Sequence, residues 1–133
     1  MKIAVICGYP IPVGMAATTR ILSYSKGLLA SGVNVEVCSY MPNSFNSEGN
    51  SPPTGEFDGV SFFYTLGTKK PKNRILHAVK ILCSILMIGP KLKQREVEQT
   101  YDALIVSTDN LFTLLYLMLL NLFFRKKMVF IFD

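Results

Sequence analysis

The chain has 133 residues, 50% of them hydrophobic and 17% charged, which suits one domain with a sizeable core and argues against intrinsic disorder. Its formal charge of +5 is lopsided: residues 1–66 carry three Lys/Arg and four Asp/Glu, net −1, and residues 67–133 carry eleven and five, net +6. A basic half suits an anionic partner, whether phosphorylated ligand, acidic lipid or nucleic acid, or is an ordinary solvated basic surface. Cys7, Cys38 and Cys83 are odd in number, far apart and without a CxxC pair, which argues against a disulfide framework or a zinc site.

From the N-terminus, Ile3–Cys7 is a short apolar run halted by Gly8, Pro10 and Pro12. It is too short for a signal peptide and reads as a buried strand entering a loop. From Met15 to Ser31 the period changes to that of a helix, with Ala17, Ile21, Tyr24 and Leu28 on one stripe and Gly32 placed to end it. Val33–Tyr40 reads as a second strand, giving a βαβ unit. Pro42–Gly59, rich in Asn, Ser, Pro and Gly, reads as a surface loop, and Val60–Leu66 as a third strand. After the basic connector Gly67–Asn73, a helix is expected from about Arg74 to Met87, with Gly89-Pro90 bending or ending it before Lys91–Thr100. Ala103–Ser107 is the fourth strand. Thr108 or Asp109 is placed to cap a helix over Leu111–Phe124, and Met128–Phe132 is the fifth strand.

This order predicts an α/β fold: a Rossmann-like doubly wound parallel sheet, strand order 3-2-1-4-5, in three α/β/α layers. The ligand crevice then lies at the carboxyl ends of the first and fourth strands. The chain closes on an apolar strand with no helix after it, which reads as a truncated domain.

Two helices are unusually apolar. Leu111–Phe124 is nearly all apolar but, at 14 residues, short of the roughly 20 that span a bilayer. A helix buried between strands is the expectation. Ile75–Ile88 carries one narrow polar stripe, His77, Lys80 and Ser84, and is either mostly buried or laid on something greasy. Basic tracts at residues 69–74, 91–95 and 125–127 stand beside both helices, a combination that also suits peripheral membrane contact.

The segment richest in chemistry is Gly8–Arg20, where a strand ends in a Pro/Gly loop and Gly14 and Met15 introduce a helix carrying Thr18, Thr19 and Arg20. Free N–H groups at a helix start attract anions, and the guanidinium fork matches phosphate or carboxylate. The plain reading is a tight turn at Gly14 and an exposed helical arginine. GxGxxG and GxxxxGK[ST] are both absent, which excludes a dinucleotide fingerprint and a P-loop. Asp109 borders the expected crevice, although helix capping is its commoner role. His77, the single histidine, reads as structural or surface, and Asp133 as a terminal residue within reach of a ligand.

Residues 1–40, with the strand, the glycine loop, the Arg-bearing helix and Leu28-Leu29-Ala30-Ser31-Gly32-Val33-Asn34-Val35-Glu36-Val37, resemble the opening of family 4 glycosyltransferases of the two-domain GT-B type. Asn34 stands where that family commonly has His. Ser107-Thr108 and the strand ending in Asp133 fit the same pattern. The resemblance implies an N-terminal, acceptor-binding domain of a retaining glycosyltransferase. Gly14 and Met15 then lie near the donor phosphates, and Thr18, Thr19, Arg20 and Asp109 are candidates for acceptor or anion binding. It implies a nucleotide-sugar donor held largely by a C-terminal domain, a glycan or lipid-linked acceptor at the cytoplasmic membrane face, no metal, no other cofactor and no nucleic acid. The catalytic residues are unassigned, and residues 1–133 alone are expected to be inactive. The rival expectation is a non-catalytic assembly module that forms a homodimer through its apolar helices.

Overall fold

The computed structural model describes residues 1–42, 52–97 and 99–131. Ten elements follow one another: β1 (Lys2–Cys7), α1 (Ala16–Ala30), β2 (Asn34–Ser39), β3 (Thr54–Phe57), β4 (Val60–Tyr64), α2 (Arg74–Leu86), α3 (Ile88–Arg95), β5 (Ala103–Ser107), α4 (Leu111–Phe124) and β6 (Lys127–Ile131). The strands form one six-stranded sheet in the order β3-β4-β2-β1-β5-β6, parallel except for β3. This is an α/β architecture compatible with a Rossmann-like fold.

The order differs from the expected 3-2-1-4-5. An additional strand, Thr54–Phe57, lies antiparallel to β4 at the sheet edge, in a segment read as loop. Asp58 and Gly59 make the connection with φ of 50° and 83°, the left-handed pair that a two-residue hairpin requires. Residues 43–51 of the expected loop, Phe132, Asp133 and Glu98 lie outside the described residues.

Alternation along the strands divides the core in two. Val5, Val37, Phe62 and Tyr64 face α1 and pack with Ile21 and Leu22. Ala4, Ile6, Phe63 and Val106 face the other way and pack with Ile85, Ile88, Leu92 and Leu117 of α2, α3 and α4. The change of face follows the change of direction: chain growth from β1 runs to β2, whereas the crossovers into β5 and β6 run to the other side, and right-handed connections then require the opposite face. α1 ends as foreseen at Gly32, whose φ of 81° lets Val33 N–H reach the Leu28 carbonyl at 3.0 Å.

α4 departs from expectation. Only Thr113 and Leu117 are buried, and its apolar residues mostly face outward, so it is not the buried helix that its composition suggested. It lies on one side of the sheet with nothing covering its outer face among the described residues. Its cap is also neither Thr108 nor Asp109. Asn110 Oδ1 accepts from Phe112 N at 3.0 Å and Thr113 N at 3.4 Å, because Asn110 stands immediately before the first helical residue.

Candidate functional site

β1 has β2 on one side and β5 on the other, so the sheet's topological switch point lies between the carboxyl ends of β1 and β5. The loop leaving β1, residues 8–15, starts at this point, where Gly8 lies against Tyr40 and Thr108, and runs over the ends of β2 and β4. Three side chains from three elements hold it. Ser39 Oγ at the end of β2 donates to the Tyr9 carbonyl at 2.6 Å. Tyr64 of β4 clamps Ile11 from both sides, accepting from its N–H at 2.8 Å and donating to its carbonyl at 2.5 Å. Thr18 of α1 donates to the Pro10 carbonyl at 2.9 Å. Ile11 itself is fully buried, and the Ile11–Pro12 bond is cis.

The glycines fit this frame for steric reasons. A Cβ at Gly8 would stand 2.5 Å from Tyr40 Oη. That hydroxyl crosses from β2 to Thr108 Oγ1 beyond β5, 2.5 Å away, and so closes the floor of the crevice over the end of β1. A Cβ at Gly14 would stand 2.2 Å from Thr18 Oγ1 and 2.9 Å from the Pro10 carbonyl. Gly14 is therefore demanded by the loop's own packing, whatever else the loop binds.

The six residues singled out in sequence separate into two groups. Gly14, Met15 and Thr18 gather at the start of α1; Met15 is its N-cap, without a side-chain cap bond. Thr18 is 1% exposed with its hydroxyl engaged inside the loop, so its role is to brace the loop. Thr19 and Arg20 are exposed one turn on, and Asp109 is exposed on the far side of the crevice next to Thr108. Arg20 also borders an apolar groove of about 410 Å³ between α1 and the sheet, with Tyr24, Leu28, Ile105, Ser107 and Ile131. His77 lies on α2, with Nδ1 buried and no partner among the described residues.

In sequence Thr108 stood out only as a helix cap and as part of Ser107-Thr108, and Ser39, Tyr40 and Tyr64 did not stand out as site residues. Their signal is a repeated one: Ser39-Tyr40, Tyr64-Thr65 and Ser107-Thr108 each place hydroxyls where an apolar strand stops. Burial pushes the phenols up, Tyr64 to about 12 and Tyr40 also above its ordinary value, so both remain neutral donors and acceptors at physiological pH. Thr65 Oγ1 is buried at the same edge without a partner among the described residues.

The opposite edge concentrates charge. Glu36 of β2 accepts from Arg95 Nε at 3.0 Å and Nη2 at 2.6 Å, pairs with Lys2 Nζ at 3.3 Å and accepts from the Tyr101 hydroxyl. Lys2 also stands 4.6 Å from the Tyr101 ring centroid, and Arg95 stands 4.8 Å from that of Phe63. Burial pushes the Glu36 carboxyl up, but the hydrogen bonds from Arg95 and Tyr101 and the charges of Arg95 and Lys2 outweigh it and hold it below the ordinary value. A polar groove of about 550 Å³ opens here, lined by Lys2, Glu36, Lys91, Gln94 and Arg95.

Neither a protein-family model nor a curated protein sequence matches the chain.

Proposed function

We propose that this chain is the Rossmann-like, acceptor-side domain of a retaining GT-B glycosyltransferase, which transfers a sugar from a nucleotide-sugar to a glycan or lipid-linked acceptor. The observation that supports this most is the braced glycine loop at the switch point, opening directly onto the start of α1. Parallel α/β sheets bind ligands at this position because strand ends and helix starts bring unpaired backbone N–H groups together. The likeness of residues 1–40 to family 4 enzymes adds the chemical class.

On this reading the start of α1 and the Gly14–Met15 peptide face the donor phosphates, with Arg20 and Thr19 one turn further along. Asp109 accepts from an acceptor hydroxyl. The neutral hydroxyls of Thr18, Tyr64 and Ser39 hold the loop in its binding shape before ligand arrives, so little ordering cost remains at the moment of binding. The residues that break and make the glycosidic bond are left unassigned.

The test is transfer by the full-length protein from a panel of nucleotide-sugars to glycan and lipid-linked acceptors, read by mass spectrometry. Transfer with retained anomeric configuration is expected, and Arg20→Ala lowers kcat/KM tenfold or more with unchanged melting. Absence of transfer and of nucleotide-sugar binding across the panel contradicts the proposal.

A second reading, a non-catalytic module that pairs through its apolar helices, draws on the exposed outer faces of α2 and α4. Light scattering distinguishes it: a stable dimer with no affinity for nucleotide-sugar or glycan favours that reading.

A further inference from the structure

Both apolar helices are built inside out. On α2 the polar stripe foreseen in sequence turns toward the protein: Ser84 is 1% exposed, and Lys80 reaches back to the Lys69 carbonyl. The outward side carries Ile75, Leu76, Val79, Leu82 and Leu86. On α4 the polar side chains also face inward. Thr113 is buried, Tyr116 donates to the Leu86 carbonyl at 2.6 Å, and Asn121 accepts from Lys126 N–H at 3.0 Å. Its outward side presents Leu111, Leu115, Met118, Leu119, Leu122 and Phe123, with Phe112 beside them. A helix washed by water has the reverse pattern.

The two helices share one face of the molecule. The Tyr116–Leu86 bond joins them, and Gly89, just past α2, leaves room for Leu120 of α4. Together they expose twelve large apolar side chains, each at least 45% accessible. So extensive an apolar patch marks a contact site.

Its borders identify the occupant. Lys69, Lys70, Lys72 and Arg74 stand at the start of α2, Lys91 and Lys93 on α3, and Arg125, Lys126 and Lys127 at the end of α4. A second copy laid against this face would oppose basic border to basic border. Acidic lipid headgroups instead complement most of its border, apart from the exposed Asp109 before α4 and the Lys126–Glu96 ion pair at 3.2 Å, with the aliphatic stems of lysine and arginine reaching to the interface. Spanning is disfavoured: no single helix among the described residues is long and apolar enough to cross a membrane. The α2–α3 pair is bent by 43°, and its second limb buries Ile88 and Leu92.

We propose that the outer face of α2 and α4 docks in the plane of an anionic bilayer, its leucines and phenylalanines in the acyl boundary and its basic borders among the headgroups. This docking stands independently of the glycosyl-transfer reading. It leaves the α1 side of the sheet in water.

The experiment is flotation of the full-length protein with vesicles of phosphatidylcholine alone or mixed with phosphatidylglycerol. Partitioning at least tenfold stronger into the mixed vesicles is expected, weakening with salt. Lys70→Gln and Lys72→Gln weaken it by about fivefold each. Because residues 1–133 contain no tryptophan, Phe123→Trp and Tyr24→Trp report depth directly as difference spectra against the parent protein. The first shifts to the blue and is quenched by brominated lipid; the second, on α1, does neither. Absence of flotation, binding indifferent to lipid charge, a Tyr24→Trp shift as large as that of Phe123→Trp, or a lipid-free dimer dissolved by Leu115→Glu with Leu119→Glu each overturns the proposal.

Discussion

At the amino edge of the sheet, Lys2, Glu36, Arg95 and Tyr101 meet in a network of ion pairs and hydrogen bonds around one buried carboxylate. At the carboxyl edge, Ser39, Tyr64 and Thr18 hold the loop after β1 by its backbone, and Tyr40 and Thr108 bond each other beneath it. The first arrangement ties α3 to β1 and β2 with charges that satisfy one another. The second fixes a loop while adding little charge of its own, and leaves the start of α1 facing outward. On the proposed function, stability is concentrated at one edge and recognition at the other, a division suited to folds whose ligands sit beyond the carboxyl ends of their strands.

The comparison can be broken by substitution. Glu36→Ala is expected to have the largest effect, a loss of about 3 kcal/mol, because it removes the counter-charge of the buried Lys2 ammonium, which keeps only the Arg95 carbonyl at 3.3 Å, and the acceptor of the Tyr101 hydroxyl. Denaturant unfolding measures it, and a loss below about 1 kcal/mol contradicts the assignment. The same carboxylate sets an acid limb. Its folded pKa lies below its unfolded one, so its contribution is full above the ordinary carboxylate range and fades as pH falls through the folded value. Melting temperature followed from neutral pH downward therefore drops, and Glu36→Gln flattens that drop.

Next in size is Tyr64→Phe, at about 2 kcal/mol, since the N–H and carbonyl of buried Ile11 lose their partner together. Unlike Glu36→Ala, it is expected to weaken ligand binding beyond its effect on stability, as the loop loosens. Equal losses of both kinds from the two substitutions would erase the distinction between the edges. The smallest effect is expected from Lys26→Ala. Its pair with Asp58 is about half exposed on each side, and a change within about 0.5 kcal/mol is expected in thermal melts.

Much of this was legible in sequence because parallel strands covered on both faces read as apolar runs. The helix between the first two forms where its period puts it, although its buried face is Thr18, Ile21, Leu22 and Ser25 and leaves Tyr24, expected on the stripe, half exposed. Leu111–Phe124 was misplaced for a related reason: apolar composition reports affinity for a nonaqueous surface without saying whether protein or lipid supplies it. The periodicity of α2 located the stripe of His77, Lys80 and Ser84 correctly and could not say which way it faced. The hairpin strand Thr54–Phe57 was hidden by its polar neighbours, although Asp58-Gly59 is a strong two-residue turn signal. At the site, Gly14 and Thr18 were conspicuous by their place after a strand. The clasp formed by Ser39 and Tyr64 required knowing that β2 ends beside β1 and β4 beside β2, a long-range fact that no local pattern carries.

Hydrogen exchange of the full-length protein, with and without the nucleotide-sugar and acceptor proposed for it, tests the division of the two edges most directly. Protection is expected over residues 8–20 and 107–110 at the carboxyl edge, with the polar groove around Lys2, Glu36 and Arg95 unchanged. Protection centred on that groove, with residues 8–20 exchanging as before, would contradict the account.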